Sequence, residues 1–540
     1  MEEFIFGTLA TDPLKLIHYR AARRGLHHQH ELHPRDPLPG EPITITVSVG
    51  PNLDAEQVVC YYTTDGSQPA GSKGVAHHGQ AAQLQLESVE WDTLAWGYLQ
   101  RWTGVLPPQP ENTIIRYQIG AWSGDAPEVF ADWPLVKAAS EHAAAAYFRG
   151  EPIPDDLHIG DPHQPHTFTC PVDRFAPPAW AHDAVIYHIF VDRFFPGQGR
   201  DWLQTDDLNG FCGGTLWGVA EKLDYIQELG ANCIWLSPIF VSSTHHGYDV
   251  TDYDHVEPRL GGDEALRHLI EAAHGRGLRV ILDIALNHLS DQHPYFQSAL
   301  NKENSPYRGW FTFDDSDVGY RSFFGVATMP QLNVNNLDAR RWLLDVGRYW
   351  IREFGIDGYR LDVADGPGPD FWTDFWHACK GENADLFCFG EVVDAPDIQR
   401  HYVGRLDGLL NFHVCDMLRR TFAAQEWTEA EFERFLERHT RYFPAGFLMP
   451  TFIDNHDMDR FLFAAGGDKA ALRRAAQVQM RLPHPPVIYY GTEVGITQAK
   501  SSREGLGLHI NRVPMLWDDE QDHELLAFYR ALIQERKAAR

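Results

Sequence analysis

The sequence predicts an α/β chain: a (β/α)8 TIM barrel preceded by an N-terminal β-sandwich, with a long loop subdomain after the third barrel strand. Three observations predict it. From about residue 183, eight apolar strand-like runs are interspersed with amphipathic helical runs. Before that point, short runs of alternating polarity are separated by Gly, Pro, Asp and Ser, the pattern of an antiparallel sandwich. The connection 289–337 is far longer than the others, and loops of that length are usually functional. The chain therefore divides into 1–178, sandwich plus linker, and 179–540, the barrel with 289–337 as its loop subdomain.

The sandwich runs are PITITVSVG (42–50), EQVVCYYTTDG (56–66) and NTIIRYQIGAW (112–122). His27, His28, His30 and His33 precede them without the regular spacing of metal ligands, and are read as a flexible His-rich loop. Trp91, Trp96 and Trp102 are read as core, with a stacking platform as the alternative. RGEPIPDDLHIGDPHQPH (149–166) is rich in Pro, Asp and His and reads as a linker.

The barrel strands follow in order: AVIYHIFVDRF (184–194), ANCIWLSPIF (231–240), LRVILDIALNH (278–288) and IDGYRLDVAD (356–365). LFCFGEVVD (386–394), LDGLLNFHV (406–414), FLMPTFIDNHD (447–457) and PVIYYGTEVG (486–495) complete the eight. Helical patterns stand between them at 217–230, 263–277, 338–355, 430–443 and 468–482, with a last one at 522–539. Near-continuous apolar strands suit a parallel sheet buried on both faces.

Composition excludes several function classes. Hydrophobic residues make up 44% of the 540, enough for large cores. Asp and Glu number 75 against 46 Lys and Arg, a net charge of −29 that repels nucleic acid and anionic membranes. The seven Cys lack paired spacing, which points to free thiols in a reducing compartment. The N-terminal run has no basic segment followed by a long apolar one, and no stretch approaches the roughly 18–20 apolar residues of a membrane helix. A cytoplasmic protein is the expectation.

In such barrels reactive groups sit at the C-terminal strand ends. The third strand ends in Asp283, Asn287 and His288, and the fourth in Arg360, Asp362 and Asp365. The fifth ends in Glu391, and the seventh in Asp454, Asn455, His456 and Asp457. A lone carboxylate there is usually a helix cap or an ion-pair partner. Carboxylates converging from three strands point instead to chemistry. Two carboxyls roughly 5–5.5 Å apart hydrolyse a glycosidic bond with retention, one as nucleophile and one as acid then base. Asp362 and Glu391 stand on neighbouring strands. Arg360, two residues before Asp362, shares its face and is expected to lower its pKa. Glu391, after apolar FCFG, is placed for a raised one.

These runs resemble the sequence signatures of glycoside hydrolase family 13, the α-amylase family. DIALNH (283–288), GYRLDVAD (358–365), GEVV (390–393) and FIDNHD (452–457) resemble its four regions in order. MPQLN (329–333) resembles the extra region of the neopullulanase, cyclomaltodextrinase and maltogenic amylase group. The resemblance implies a retaining enzyme acting on α-glucosidic bonds in maltooligosaccharides, cyclodextrins, pullulan or starch. Asp362 would be nucleophile, Glu391 acid/base, and Asp457 the carboxylate gripping the −1 sugar. His288 and His456 would hydrogen-bond that sugar, Arg360 would hold Asp362, Tyr248 would stack on the ring and His246 would touch it. The alternatives are a packed core aromatic for Tyr248 and a solvated loop residue for His246.

No cofactor is required by this chemistry. A structural calcium is a candidate at Asn287, Asp192 and Asp201. Relatives with this N-terminal domain often dimerise, so a homodimer is among the expectations, and that domain would be accessory or carbohydrate-binding. Val363, Ala364 and Val393 depart from common family residues and bear on specificity. The small C-terminal sandwich of many relatives is expected to be absent or truncated. A transglycosylase or isomerase such as a trehalose synthase is the main competing reading. A non-catalytic amylase-like transporter subunit is disfavoured by the three carboxylates and the missing anchor.

Overall fold

The computed structural model describes residues 12–131, 143, 146, 151–152, 161–205, 207, 209–316, 318–502 and 510–540. The chain divides into two compact units. One holds the residues up to Phe175 together with Gly368–Asp374 and Val393–Arg405, and the other holds Ala176–Pro367, Phe375–Val392 and Leu406–Arg540.

The first unit is an antiparallel sandwich. One sheet runs Leu26–His27, Ile43–Val49, Gly97–Leu106, Gln85–Asp92, with Leu32–His33 also on Ile43–Val49. The other runs Val129–Phe130, Thr113–Trp122, Gln57–Thr63, Gln80–Gln83, with Phe168–Val172 on Thr113–Trp122. Alternation decides which side is buried: Ile43, Ile45, Val47 and Val49 of one sheet share a core with Val58, Cys60, Ile115, Ile119 and Phe168 of the other.

The histidine reading is corrected here. His27, His28 and His30 are buried, not on a flexible loop. His28 bonds the Thr46 carbonyl through Nδ1 and the Tyr117 hydroxyl through Nε2, both at 2.8 Å. His30 Nε2 lies 3.0 Å from Asp370, which also takes His166 Nε2 at 2.9 Å and the Thr169 N–H at 2.7 Å. The polar letters suggested solvent, but tertiary partners hold both nitrogens of His28 and Nε2 of His30 and so permit their burial. The tryptophans split: Trp102 joins the core, whereas Trp91 and Trp96 are exposed beside Tyr98 on the Gln85–Asp92 and Gly97–Leu106 hairpin. Residues 153–160 of the linker lie outside the described residues.

The second unit is the barrel. Parallel strands pair in the order Gly408–Leu409, Phe387–Gly390, Gly358–Asp362, Arg279–Ala285, Cys233–Leu236, Ile186–Ile189, Val487–Tyr489, that is, sixth to first and then eighth. The predicted seventh strand forms no ladder of its own. It closes the ring through two parallel bridges, Gly408↔Leu448 and Thr451↔Pro486. Inward positions alternate, so Ile186, Cys233, Trp235, Ile281, Phe387, Phe389, Leu410, Leu448 and Val487 fill the interior. The helices close around it with local signals of their own. Glu429–Tyr442 starts on a Thr428–Glu431 capping box, and Leu337–Phe354 starts on Asn336 and ends at Gly355 with φ 68°. The 217–230 pattern breaks at Lys222 into Leu216–Glu221 and Leu223–Leu229. All seven cysteines are free and buried. Among the described residues no helix is long and apolar enough to cross a membrane.

Candidate active site

The alternation that fills the barrel also aims the site. Arg360 and Asp362 sit two apart on the fourth strand and face inward above the apolar layers, as do Asp283 above Ile281 and Glu391 above Phe389. Register aligns them: Asp283 pairs with Arg360, Ala285 with Asp362, and Leu361 with Gly390, one residue before Glu391. The Glu391 N–H donates to the Leu361 carbonyl at 2.9 Å, fixing the height of the fifth strand end.

One guanidinium organises the carboxylates. Arg360 Nη1 donates to Asp283 Oδ1 and Asp362 Oδ1, each at 2.8 Å. Its Nη2 lies 2.8 Å from Glu391 Oε2, an ion pair by distance that is not aligned as a hydrogen bond. Arg360 and Asp283 are fully buried, while the side chains of Asp362, Glu391 and Asp457 open progressively, at 8%, 12% and 29% exposure. That gradient makes Arg360 and Asp283 the floor and the other three carboxylates the more open wall.

A second cluster comes from the seventh strand end. His456 Nε2 lies 2.9 Å from Asp457 Oδ2 and 2.6 Å from the Tyr248 hydroxyl. Tyr248 also donates to Asp283 Oδ2 at 3.0 Å, linking the two clusters. The Tyr248 and His456 rings stack at 5.6 Å and 8°. His456 was expected to contact sugar, but its Nε2 is committed to protein partners, and its buried Nδ1 has none. His288, also buried, leaves Nε2 without a protein partner and stacks on Phe323. His246 is mostly buried, and its Nδ1 accepts the Tyr248 N–H at 3.2 Å.

Burial sets the protonation of the site. It pushes Asp362 well above the usual carboxylate range; Arg360 opposes this, while Glu391, Asp283 and Asp457 add to it. The sequence expectation of a lowered Asp362 is therefore corrected: the guanidinium acts as foreseen but is outweighed. Burial raises Glu391 as well, against Arg360. Two raised carboxyls beside one cation titrate as a pair and not as independent groups. Asp457 goes the other way. Burial would raise it, but His456, Arg512 and Arg360 together hold it far below its ordinary value.

Sequence reasoning missed several supports. Arg512 donates to Asp457 Oδ1 at 2.8 Å and to the His456 carbonyl at 2.9 Å. It lies beyond the eighth strand in INRVPM, where no periodicity marks it. Trp235 Nε1 donates to Asp283 Oδ2 at 3.1 Å, and its ring stacks on His188 at 3.7 Å. Val363, next to Asp362, has φ 44°, a strained conformation for a β-branched residue, and its N–H reaches Glu391 Oε2 at 3.3 Å.

Two of the three calcium candidates, Asp192 and Asn287, have protein partners of their own. Asp192 accepts the Cys212 and Gly213 N–H groups and pairs with Arg193, while Asp201 is exposed. Asn287 Oδ1 accepts Gln331 Nε2 at 2.9 Å. Among the described residues no group of three or more His, Cys, Asp or Glu is arranged to hold a metal. These donor sets fit structural hydrogen bonding rather than a cation.

Comparison with known proteins agrees with this geometry. Residues 188–529 match the family described as alpha amylase, catalytic domain. The chain is 41% identical over 370 residues to "Alpha-amylase 2" of Dictyoglomus thermophilum, covering 68% of this chain and 65% of that relative. It is 34% identical over 392 residues to a Bacillus "Cyclomaltodextrinase", covering 69% of each. A solved "Cyclomaltodextrinase" superposes with TM-score 0.64 at 26% identity, covering 95% of this chain and 84% of that one. The match thus spans 65% of the length of the first of these relatives, just short of two thirds. On these matches the chain belongs to glycoside hydrolase family 13, the α-amylase family.

Proposed function

We propose that the protein hydrolyses α-glucosidic bonds in maltooligosaccharides, cyclodextrins, pullulan or starch through a covalent glycosyl-enzyme. The observation that carries the reading is one buried guanidinium holding Asp362 and Glu391 side by side while Asp457 stands apart with its own cation. Glu391, raised by burial, gives its proton to the leaving glycosidic oxygen as the C–O bond breaks. Asp362, held by Arg360, places a carboxylate oxygen on the anomeric carbon. Glu391 then takes a proton from water, whose oxygen attacks that carbon and releases Asp362, so configuration is retained. Asp457, kept ionised, and the unpartnered His288 Nε2 face hydroxyls of the same ring. The named relatives support a glucan substrate, and no electrophilic metal enters any step.

The test is direct. Glu391→Gln should lower kcat by roughly 100- to 10,000-fold on maltotriose, with the fold intact by circular dichroism. Proton NMR of the wild-type reaction should show the α-anomer first. Near-normal turnover in the variant, or a β-anomer first, removes the mechanism. Transfer to sugar instead of water uses the same intermediate, and a product profile on maltotriose separates the two. A cytoplasmic setting is supported by the seven free thiols. A homodimer belongs to the same reading, and sedimentation analysis tests it.

A further inference from the structure

Beneath the carboxylate floor lies a layer of rings that the proposed steps leave unassigned. Parallel pairing sets His188 of the first strand directly beside Trp235 of the second. Two residues earlier on each strand, Ile186 and Cys233 fill the barrel interior, so His188 and Trp235 share that inward face. Both are fully buried. Their rings stack at 3.7 Å and 9°, and Phe389 of the fifth strand meets the indole at 5.7 Å and 86°.

The indole bears on Arg360 in two ways. Its Nε1–H donates to Asp283 Oδ2 at 3.1 Å, and Asp283 Oδ1 accepts Arg360 Nη1. The Arg360 guanidinium carbon also stands 5.4 Å from the centre of the indole ring, within reach of the attraction between a cation and an aromatic face. These contacts matter because hydrogen bonds hold only one corner of the fork. Nη1 is bonded, whereas Nε and Nη2 are buried without an aligned partner. One bonded nitrogen does not set the plane of the group. A tilt of that plane would carry Nη2 off Glu391 Oε2, which it meets at 2.8 Å.

His188 shows which property of this layer the fold uses. Burial, then His456 and Arg360, push its ring well below the usual histidine range, so it is neutral. Neither ring nitrogen has a hydrogen-bond partner. An apolar ring would fill the same space without two unmatched polar groups. What His188 supplies is therefore its flat face against the indole.

We propose that Trp235 is a positioning residue for the reaction and His188 its brace: the imidazole face fixes the indole, and the indole holds Arg360 in the plane that serves both Asp362 and Glu391. The role rests on the glycosidase reading above and adds to it. Full-length Trp235→Phe, His188→Leu and His188→Phe are assayed on maltotriose beside Glu391→Gln, with Tm read for each. Trp235→Phe keeps a ring and loses the N–H. Its kcat should fall roughly 10- to 100-fold, as expected when reacting groups shift by up to about 1 Å. KM should stay near its wild-type value, because the loss falls on the transition state. His188→Leu fills the space without a flat face and should show the same split. His188→Phe restores the face and should recover most of that kcat, with a Tm at or above the wild-type value. Wild-type kcat in Trp235→Phe or in His188→Leu overturns the proposal. So does a His188→Leu loss that His188→Phe fails to recover, or a KM that rises as far as kcat falls. If Trp235→Phe does not fold, the two His188 variants still decide. Near-normal turnover in Glu391→Gln overturns the glycosidase reading itself, whereas its loss beside an unaffected Trp235→Phe overturns the positioning role alone.

Discussion

Arg360 shows how one residue can set a site's chemistry. Its planar fork reaches Asp283, Asp362 and Glu391 at once, each at 2.8 Å. Lysine has the charge but not the fork. Arg360→Lys should therefore lower kcat on maltotriose by roughly 100-fold or more, an amount typical of losing a preorganised donor. It should also alter the pH–rate profile, because an ammonium cannot hold Asp362 and Glu391 at once as the guanidinium does. An unchanged profile with unchanged kcat would mean the fork is only structural. This residue was legible from sequence because it shares a strand face with Asp362, but its effect was not. The chain shows the neighbour that lowers a pKa, while the burial that outweighs it depends on the whole barrel mouth.

At the scale of elements, the connection 289–337 is tied to the third strand end by its return segment. His288 bridges Gln331, the Leu332 N–H donates to the Asn287 carbonyl at 2.9 Å, and Gln331 Nε2 reaches Asn287 Oδ1. Asn287 is wedged from the other side, since a Cβ at Gly366 would lie 2.0 Å from its Oδ1. Gln331→Ala leaves that buried oxygen unmatched, at a cost of about 1–3 kcal/mol. The effect should fall on loop position, so KM should rise more than kcat falls, and Tm should drop measurably. A kcat loss with KM unchanged would place Gln331 in the chemistry instead. Elements with a strong period were readable: 338–355 and 430–443 appear as Leu337–Phe354 and Glu429–Tyr442. The seventh strand was over-read because an apolar run does not reveal whether its backbone finds a ladder or only two bridges. The Gln85–Asp92 and Gly97–Leu106 hairpin was missed because it exposes Val89, Trp91 and Tyr98, which hides the one-sided pattern of a strand.

For the whole molecule, the carboxylates of the site pull stability in opposite directions. Glu391 has a folded pKa above the ordinary 4.5, mainly through burial. The fold is unburdened below that value and loses stability as pH climbs from there through the raised folded value, because ionised Glu391 is disfavoured in its buried position. Asp457 has a folded pKa far below the ordinary 3.8; burial works against this, and His456, Arg512 and Arg360 prevail. Its contribution is present above 3.8 and is lost as pH falls below it. Both variants should abolish most activity, yet thermal melts should separate them. At about pH 7, Glu391→Gln should match or exceed the wild-type Tm, and Asp457→Asn should fall below it. Near about pH 4.5 the Glu391→Gln gain should shrink towards zero, while the Asp457→Asn deficit persists until the pH drops further. Two variants shifting Tm in the same direction at neutral pH would show that burial and ion pairing do not divide the site in this way.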